Sequence, residues 1–112
     1  MKRGEIWWAS LPAPHGSSPW YRRPVVIAQS NDFNESRIQT VIVAAMTSNL
    51  SLAEAPGNFA VGRRVTGLPR KSAVNVSQLL TITKSLLTAR VGRLDEASLR
   101  RLDRGLRLVL AL

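Results

Sequence analysis

Cysteine is absent from the 112 residues, and histidine occurs once, at His15. The first absence excludes a disulfide scaffold, a Cys-ligated zinc or iron–sulfur centre and a cysteine nucleophile. The second excludes an acid/base ribonuclease that draws two histidines from one chain. His15 sits among Pro, Gly and Ser and reads as a surface residue. Acidic side chains are scarce, seven against sixteen basic ones, for a formal charge of +9. The only adjacent acids, Asp95 and Glu96, open a helical pattern whose macrodipole accounts for them. No group of residues has metal-ligand spacing. No metal or other cofactor is therefore expected, and a two-metal nuclease, which needs converging carboxylates, does not fit. Neither a Gly-rich nucleotide loop nor a Gly-x-Ser-x-Gly elbow occurs. No apolar run approaches the ~18 residues of a membrane span, and the opening residues lack a signal peptide's apolar stretch. These absences predict a soluble, cytoplasmic protein with no membrane partner.

What is abundant is arginine, thirteen of the sixteen basic residues. Its planar fork suits bidentate contact with phosphate better than the point charge of lysine. Residues 55–94 carry Arg63, Arg64, Arg70, Lys71, Lys84, Arg90 and Arg93 and no acid. Such a stretch predicts a surface for nucleic acid or for an acidic protein.

Length gives one domain, residues 1–112. Short β-branched and aromatic runs predict strands at 5–11, 24–29, 38–45, 59–65, 73–76, 79–83 and 88–91. Residues 12–19, rich in Pro, Gly and Ser, form a loop, 30–36 a polar turn and 48–58 a polar loop. The end of the chain differs. Asp95 is a helix N-cap, and Leu94 and Leu99 make a hydrophobic staple. Leu99, Leu102, Leu106, Val109 and Leu110 share one helical face, opposite Arg100, Arg101, Arg104 and Arg107. Gly105 costs that helix about 1 kcal/mol relative to alanine, so tertiary packing has to hold it. The sum is a mainly β chain with a C-terminal helix, folded as a small, strongly curved antiparallel barrel or sandwich.

One geometric argument narrows the site. If 24–29 and 38–45 pair antiparallel, residues whose numbers add to about 70 lie opposite each other. Arg23 then falls beside Thr47 at one end of the sheet, next to the 12–19 loop. A guanidinium binds phosphate through two parallel bonds, and a threonine hydroxyl donates one more. Trp20, Tyr21 and Phe33 lie in or near these loops and offer surfaces on which single-stranded bases stack. Trp7 and Trp8 point to opposite faces of one strand, one into the core and the other covering an interface.

Arg3-Gly4-Glu5-Ile6-Trp7-Trp8, His15-Gly16-Ser17, Arg23-Pro24-Val25-Val26-Ile27, Ser30-Asn31-Asp32 and Thr40 through Thr47 together resemble the MazF/PemK toxin family. The likeness resumes at Gly67-Leu68-Pro69-Arg70-Lys71-Ser72, at Gln78 and Lys84, and at Val91-Gly92-Arg93-Leu94, so it covers nearly the whole chain in order. The resemblance implies an SH3-like barrel and a metal-independent endoribonuclease. It implies the toxin of a type II toxin–antitoxin pair, which cuts single-stranded RNA, works as a homodimer and is restrained by a cognate antitoxin. Arg23 and Thr47 match the family's catalytic pair. Gly16, Ser17 and Gln78 match positions that hold RNA near the scissile phosphate. Asn31, Ser48, Trp20 and Tyr21 complete the candidate RNA-contacting set. Ser18 joins them as a departure, because the family commonly carries a glutamate there.

The chemistry fits these residues. If the substrate's own 2′-hydroxyl attacks, the products are a 2′,3′-cyclic phosphate and a 5′-hydroxyl. The protein then has to stabilise charge on the phosphate, a task for Arg23. An acidic, partly disordered antitoxin laid across residues 63–93 would compete with RNA for the same arginines. The alternative to an enzyme is a non-catalytic SH3-like barrel binder, either a topoisomerase-poisoning toxin or a nucleic-acid adaptor.

Overall fold

The computed structural model describes residues 1–12 and 20–112, with the backbone alone at Trp20. Six strands lie in one antiparallel sheet: β1 (Glu5–Pro12), β2 (Trp20–Ile27), β3 (Thr40–Thr47), β4 (Phe59–Val61), β5 (Ser72–Thr83) and β6 (Leu87–Arg93). Their spatial order is β4-β5-β3-β2-β1-β6. Two helical turns, α1 (Asn31–Asn34) and α2 (Arg63–Thr66), interrupt the strands, and the helix α3 (Glu96–Leu110) closes the chain.

Both faces of the curled sheet carry a core. Alternation along β1, β2 and β3 sends Ile6, Val26, Ala44 and Met46 to one face, where Val74 and the α3 residue Leu102 join them. The same alternation sends Ala9, Val25, Ile27, Val41 and Val43 to the other, with Ile82. Each fully buried Val, Ile, Leu or Met side chain among them contributes about 1.5–3 kcal/mol. Trp7 packs on the second cluster and Trp8 on the first, as strand alternation requires.

The barrel is closed by a helical turn and not by a ladder. The terminal strands of the sheet, β4 and β6, do not pair with each other. Instead α2 leaves β4 and packs on β6. A Cβ at Gly92 would collide with the Thr66 carbonyl, so glycine is what allows this approach.

Several boundaries differ from the sequence expectation. β2 starts at Trp20, because the chain before Pro24 pairs with β1 from Pro12↔Trp20 onward. Proline needs no ladder donor on the side where the β3 pairing has ended. The expected strand at 59–65 stops at Val61, and residues from Arg63 turn into α2, capped by Gly67 at φ 78°. The expected pieces 73–76 and 79–83 are one strand, β5, broken by a bulge between Asn75 and Leu79. In the bulge, side-chain amides replace the ladder: Asn58 Oδ1 accepts from the Val76 N–H at 2.9 Å and Asn75 Oδ1 from the Ser77 N–H at 3.2 Å. The turn after β2 contains α1, and the polar loop after β3 contains a 3₁₀ turn, Leu50–Glu54.

The C-terminal helix is as read. Asp95 caps it, its Oδ1 accepting from the Ser98 N–H at 2.9 Å. Leu94 and Leu99 both pack on the first core. Toward the end of the helix's apolar face Val109 and Leu110 are exposed, with Leu108 61% and Leu112 83% exposed beside them. Gly105 is buried against the loop at Gly57, where a Cβ would collide with the Gly57 carbonyl. Among the described residues no helix is long and apolar enough to cross a membrane.

Candidate functional site

The β2–β3 ladder runs Val25↔Ala45, Val26↔Ala44, Ile27↔Val43, pairs whose numbers add to 70. It ends at Val25, and the next residue back along β2 is Pro24, which has no N–H. In that register Pro24 stands across from Met46 and leaves its carbonyl without a ladder donor. Arg23 fills the role: its Nη2 donates to the Met46 carbonyl at 2.9 Å. The guanidinium also lies 5.5 Å from the centroid of the Tyr21 ring, two residues earlier on the same strand face. A long, flexible side chain is thereby held from two directions.

Thr47 is the last residue of β3 and pairs with Ala73 of β5. Its Oγ1 accepts from the Asn49 N–H at 3.1 Å, which orients the hydroxyl and leaves its proton for another acceptor. Arg23, Thr47 and Ser48 line one cavity of about 410 Å³. Trp8, Arg70 and Ser72 also line it, none of them singled out as site residues from the sequence. For Trp8 the usable signal was its strand register, which sets it opposite Pro24. For Arg70 it was a doubled basic pair in a Gly/Pro-containing loop.

Among the described residues, the cavity's lining includes two arginines and no acid. Among the described residues, acids form ion pairs elsewhere: Glu5 with Arg90 at 3.0 Å, Asp103 with Arg3 at 2.8 Å and Glu96 with Arg100 at 3.2 Å. No three His, Asp or Glu side chains among the described residues converge as a metal site.

Among the described residues, the other candidates do not line this cavity. Asn31 opens α1, and its Oδ1 accepts from the Arg3 N–H at 2.7 Å. It lines a separate cleft beside Arg93. Gln78 is exposed in the β5 bulge and does not line the Arg23 cavity. Gly16, Ser17, Ser18 and His15 lie outside the described residues, and for Trp20 the structure gives the strand position alone, opposite Pro12. Tyr21 is half-buried, with Arg23 over its ring.

The basic stretch divides into two groups. Arg63, Arg64, Arg70 and Lys71 are exposed. Lys84 donates to the carbonyls of Asn34 and Ser36 at 3.0 and 3.2 Å, tying α1 to the sheet, and Arg90 pairs with Glu5.

Comparison with known proteins gives the family. A family profile described as "PemK-like, MazF-like toxin of type II toxin-antitoxin system" matches residues 2–110. The endoribonuclease MazF6 of Mycobacterium tuberculosis is 48% identical over 112 residues, 100% of this chain and 98% of that one. The endoribonuclease EndoA of Bacillus subtilis is 33% identical, over 100% of this chain and 96% of that one. A solved mycobacterial endoribonuclease in complex with its cognate antitoxin superimposes with a TM-score of 0.80 at 21% identity, covering 100% of this chain and 96% of that one.

Proposed function

We propose, for a chain that belongs to the PemK-like, MazF-like toxins of type II toxin–antitoxin systems, that the cavity holding Arg23 and Thr47 is where RNA is cut. The protein is an endoribonuclease, as its curated relatives are, and the reading of a non-catalytic barrel binder is set aside. The observation that carries the site is the placement of a doubly held guanidinium and an oriented hydroxyl on one cavity without a carboxylate.

That donor set suits a reaction in which the substrate brings its own nucleophile. The 2′-oxygen attacks the adjacent phosphorus, the P–O5′ bond breaks, and the proton lost from the 2′-hydroxyl is matched by one gained on the departing 5′-oxygen. The products are a 2′,3′-cyclic phosphate and a 5′-hydroxyl. Negative charge grows on the non-bridging oxygens between these states. Arg23 stabilises it with donors fixed beforehand, and Thr47 adds its hydroxyl proton. The Met46 anchor occupies one of the guanidinium's five N–H donors. Arg23 acts in this scheme as the charge stabiliser.

The partners follow from the surface. Single-stranded RNA enters past the exposed Arg70 and Lys71. A cognate antitoxin of acidic, partly disordered sequence places carboxylates on Arg63, Arg64 and Arg70 and so competes with RNA. A second copy of the chain covers exposed apolar surface, with the Leu108–Leu112 end of the molecule among it. The pair works in the cytoplasm, where messenger RNA is found.

The test is incubation of the purified protein with single-stranded RNA in excess chelator. Cleavage with 2′,3′-cyclic phosphate ends supports the reading. A strict requirement for added magnesium, or 5′-phosphate ends, overturns it. Light scattering at micromolar concentration should show a dimer, and monomer alone would remove the second copy from the account.

A further inference from the structure

The Arg23 cavity has an apolar wall that phosphate chemistry does not use. Trp8 lines it together with Leu68 and Pro69. On the sheet, Trp8 pairs with Pro24, and Arg22 is its diagonal neighbour on the same face. The Arg22 guanidinium lies over the Trp8 ring, 4.6 Å from its centroid. Arg22 itself does not line the cavity. The ring is therefore braced by a cation and presented to the cavity.

The Leu68–Pro69 wall is braced as well. The Leu68 N–H donates to the buried Thr66 Oγ1 at 3.0 Å, and Arg63 Nη1 donates to the Pro69 carbonyl at 3.4 Å. Gly67 begins this loop in the left-handed region, at φ 78°. At about 410 Å³ the cavity falls in the range of small-molecule pockets, about 300–1,000 Å³. Fixed apolar and aromatic walls beside phosphate-binding cations are the surroundings in which an unstacked RNA base docks.

We infer that Trp8 is the stacking surface for one nucleobase next to the scissile phosphate, with Arg22 as the positioning residue that fixes its ring. The inference rests on the Arg23 cavity being the RNA site. It assigns sequence preference at one position of the substrate to residues that take no part in the bond exchange. Stacking on a ring tolerates any base, while the depth between Trp8 and Pro69 discriminates by size.

The test uses the full chain and an RNA whose cut site has been mapped from fragment 5′ ends. Each nucleotide flanking the cut is made abasic in turn, and kcat/KM is measured for wild type, Trp8→Leu, Trp8→Phe and Arg22→Ala. In wild type, loss of the stacked base should cost about tenfold or more. In Trp8→Leu that one penalty should collapse to within about twofold, while penalties at the other positions persist. Trp8→Phe, which keeps a ring, should retain most of it. Arg22→Ala alters an exposed side chain, so it remains informative if Trp8→Leu fails to fold. It should shrink the penalty at the same position and no other. Abasic penalties in Arg22→Ala and in the folded Trp8 variants that match wild type at every position overturn the inference. A wild-type protein that leaves RNA intact refutes the reading of the site instead, so the two failures are distinct.

Discussion

The Arg23 guanidinium donates to the carbonyl of Met46 at 2.9 Å, at the place where Pro24 ends the pairing of β2 with β3. A proline that cannot supply a ladder donor thus leaves an acceptor that draws Arg23, the proposed catalytic arginine, to the cavity. Fixing the side chain before substrate arrives spares the rotamer entropy that a free arginine would lose, roughly 2 kcal/mol. This is the sense in which the strand sequence Arg23-Pro24 prepares the site.

Thr47→Ala should lower the cleavage rate by less than the loss of Arg23 does, because one neutral donor is removed and the cation stays. Folding should be preserved, since the hydrogen bond its Oγ1 makes among the described residues is local, from the Asn49 N–H. Single-turnover rates alongside circular dichroism separate the two effects. A Thr47→Ala rate equal to wild type would remove the hydroxyl from the mechanism.

Gly105→Ala sets two effects against each other. Alanine favours a helix interior by about 1 kcal/mol. Its Cβ, however, would collide with the Gly57 carbonyl and press on Val76 Cγ1 at 3.1 Å. Overpacking of this kind costs about 1–3 kcal/mol, so the variant should unfold at lower urea than wild type. A higher midpoint would show that the loop at Gly57 yields freely.

Acid should destabilise the protein partly through Glu5. Burial pushes its carboxyl up. Donation from the Lys2 N–H and the Trp7 indole N–H, with the charge of Arg90, outweighs that and holds it below its usual 4.5. A folded pKa below the unfolded one gives stability that is complete above about 4.5 and is lost as pH falls through the lowered value. Glu5→Gln should therefore cost stability near pH 7 and cost progressively less toward pH 3. Urea midpoints across this range read the difference, and a gap that does not narrow in acid would deny Glu5 this role.

Arg63 and Arg64 are exposed on α2. Reversing both to glutamate should slow antitoxin association and weaken RNA binding together. In wild type the association rate should fall as salt rises, since steering acts over a Debye length of ~8 Å at physiological salt. Stopped-flow rates at several salt concentrations test this. A salt-independent rate, unchanged in the double variant, would make these arginines a solubilising face.

The register that sets Arg23 beside Thr47 was legible because a short polar turn joins two β-branched runs, and the turn fixes which residues lie opposite each other. The capped helix was legible for a similar reason, since Asp95, Leu94 and Leu99 are local signals. What escaped depends on contacts between distant parts of the chain. The continuity of β5 is hidden by Asn75, Ser77 and Gln78, whose polar run reads as a break until Asn58 supplies the acceptor. α2 was read as strand because its turn is set by its closeness to Gly92, far along the sequence. Trp8 and Arg70 reach the cavity from β1 and from the loop before β5, and no local pattern connects them. Asn31, grouped with the site by resemblance, lines a separate cleft, where its Oδ1 accepts from the Arg3 N–H.

The most direct test is single-turnover cleavage of RNA by wild type, Arg23→Ala and Arg23→Lys. Loss of a donor aimed at developing charge costs about 3 kcal/mol, so Arg23→Ala should be slower by more than ~100-fold, with its fold retained. Arg23→Lys should recover only part of this, because an ammonium lacks the planar fork that holds the Met46 carbonyl and a phosphate oxygen together. Cleavage by folded Arg23→Ala at the wild-type rate would contradict the account and move the active site elsewhere.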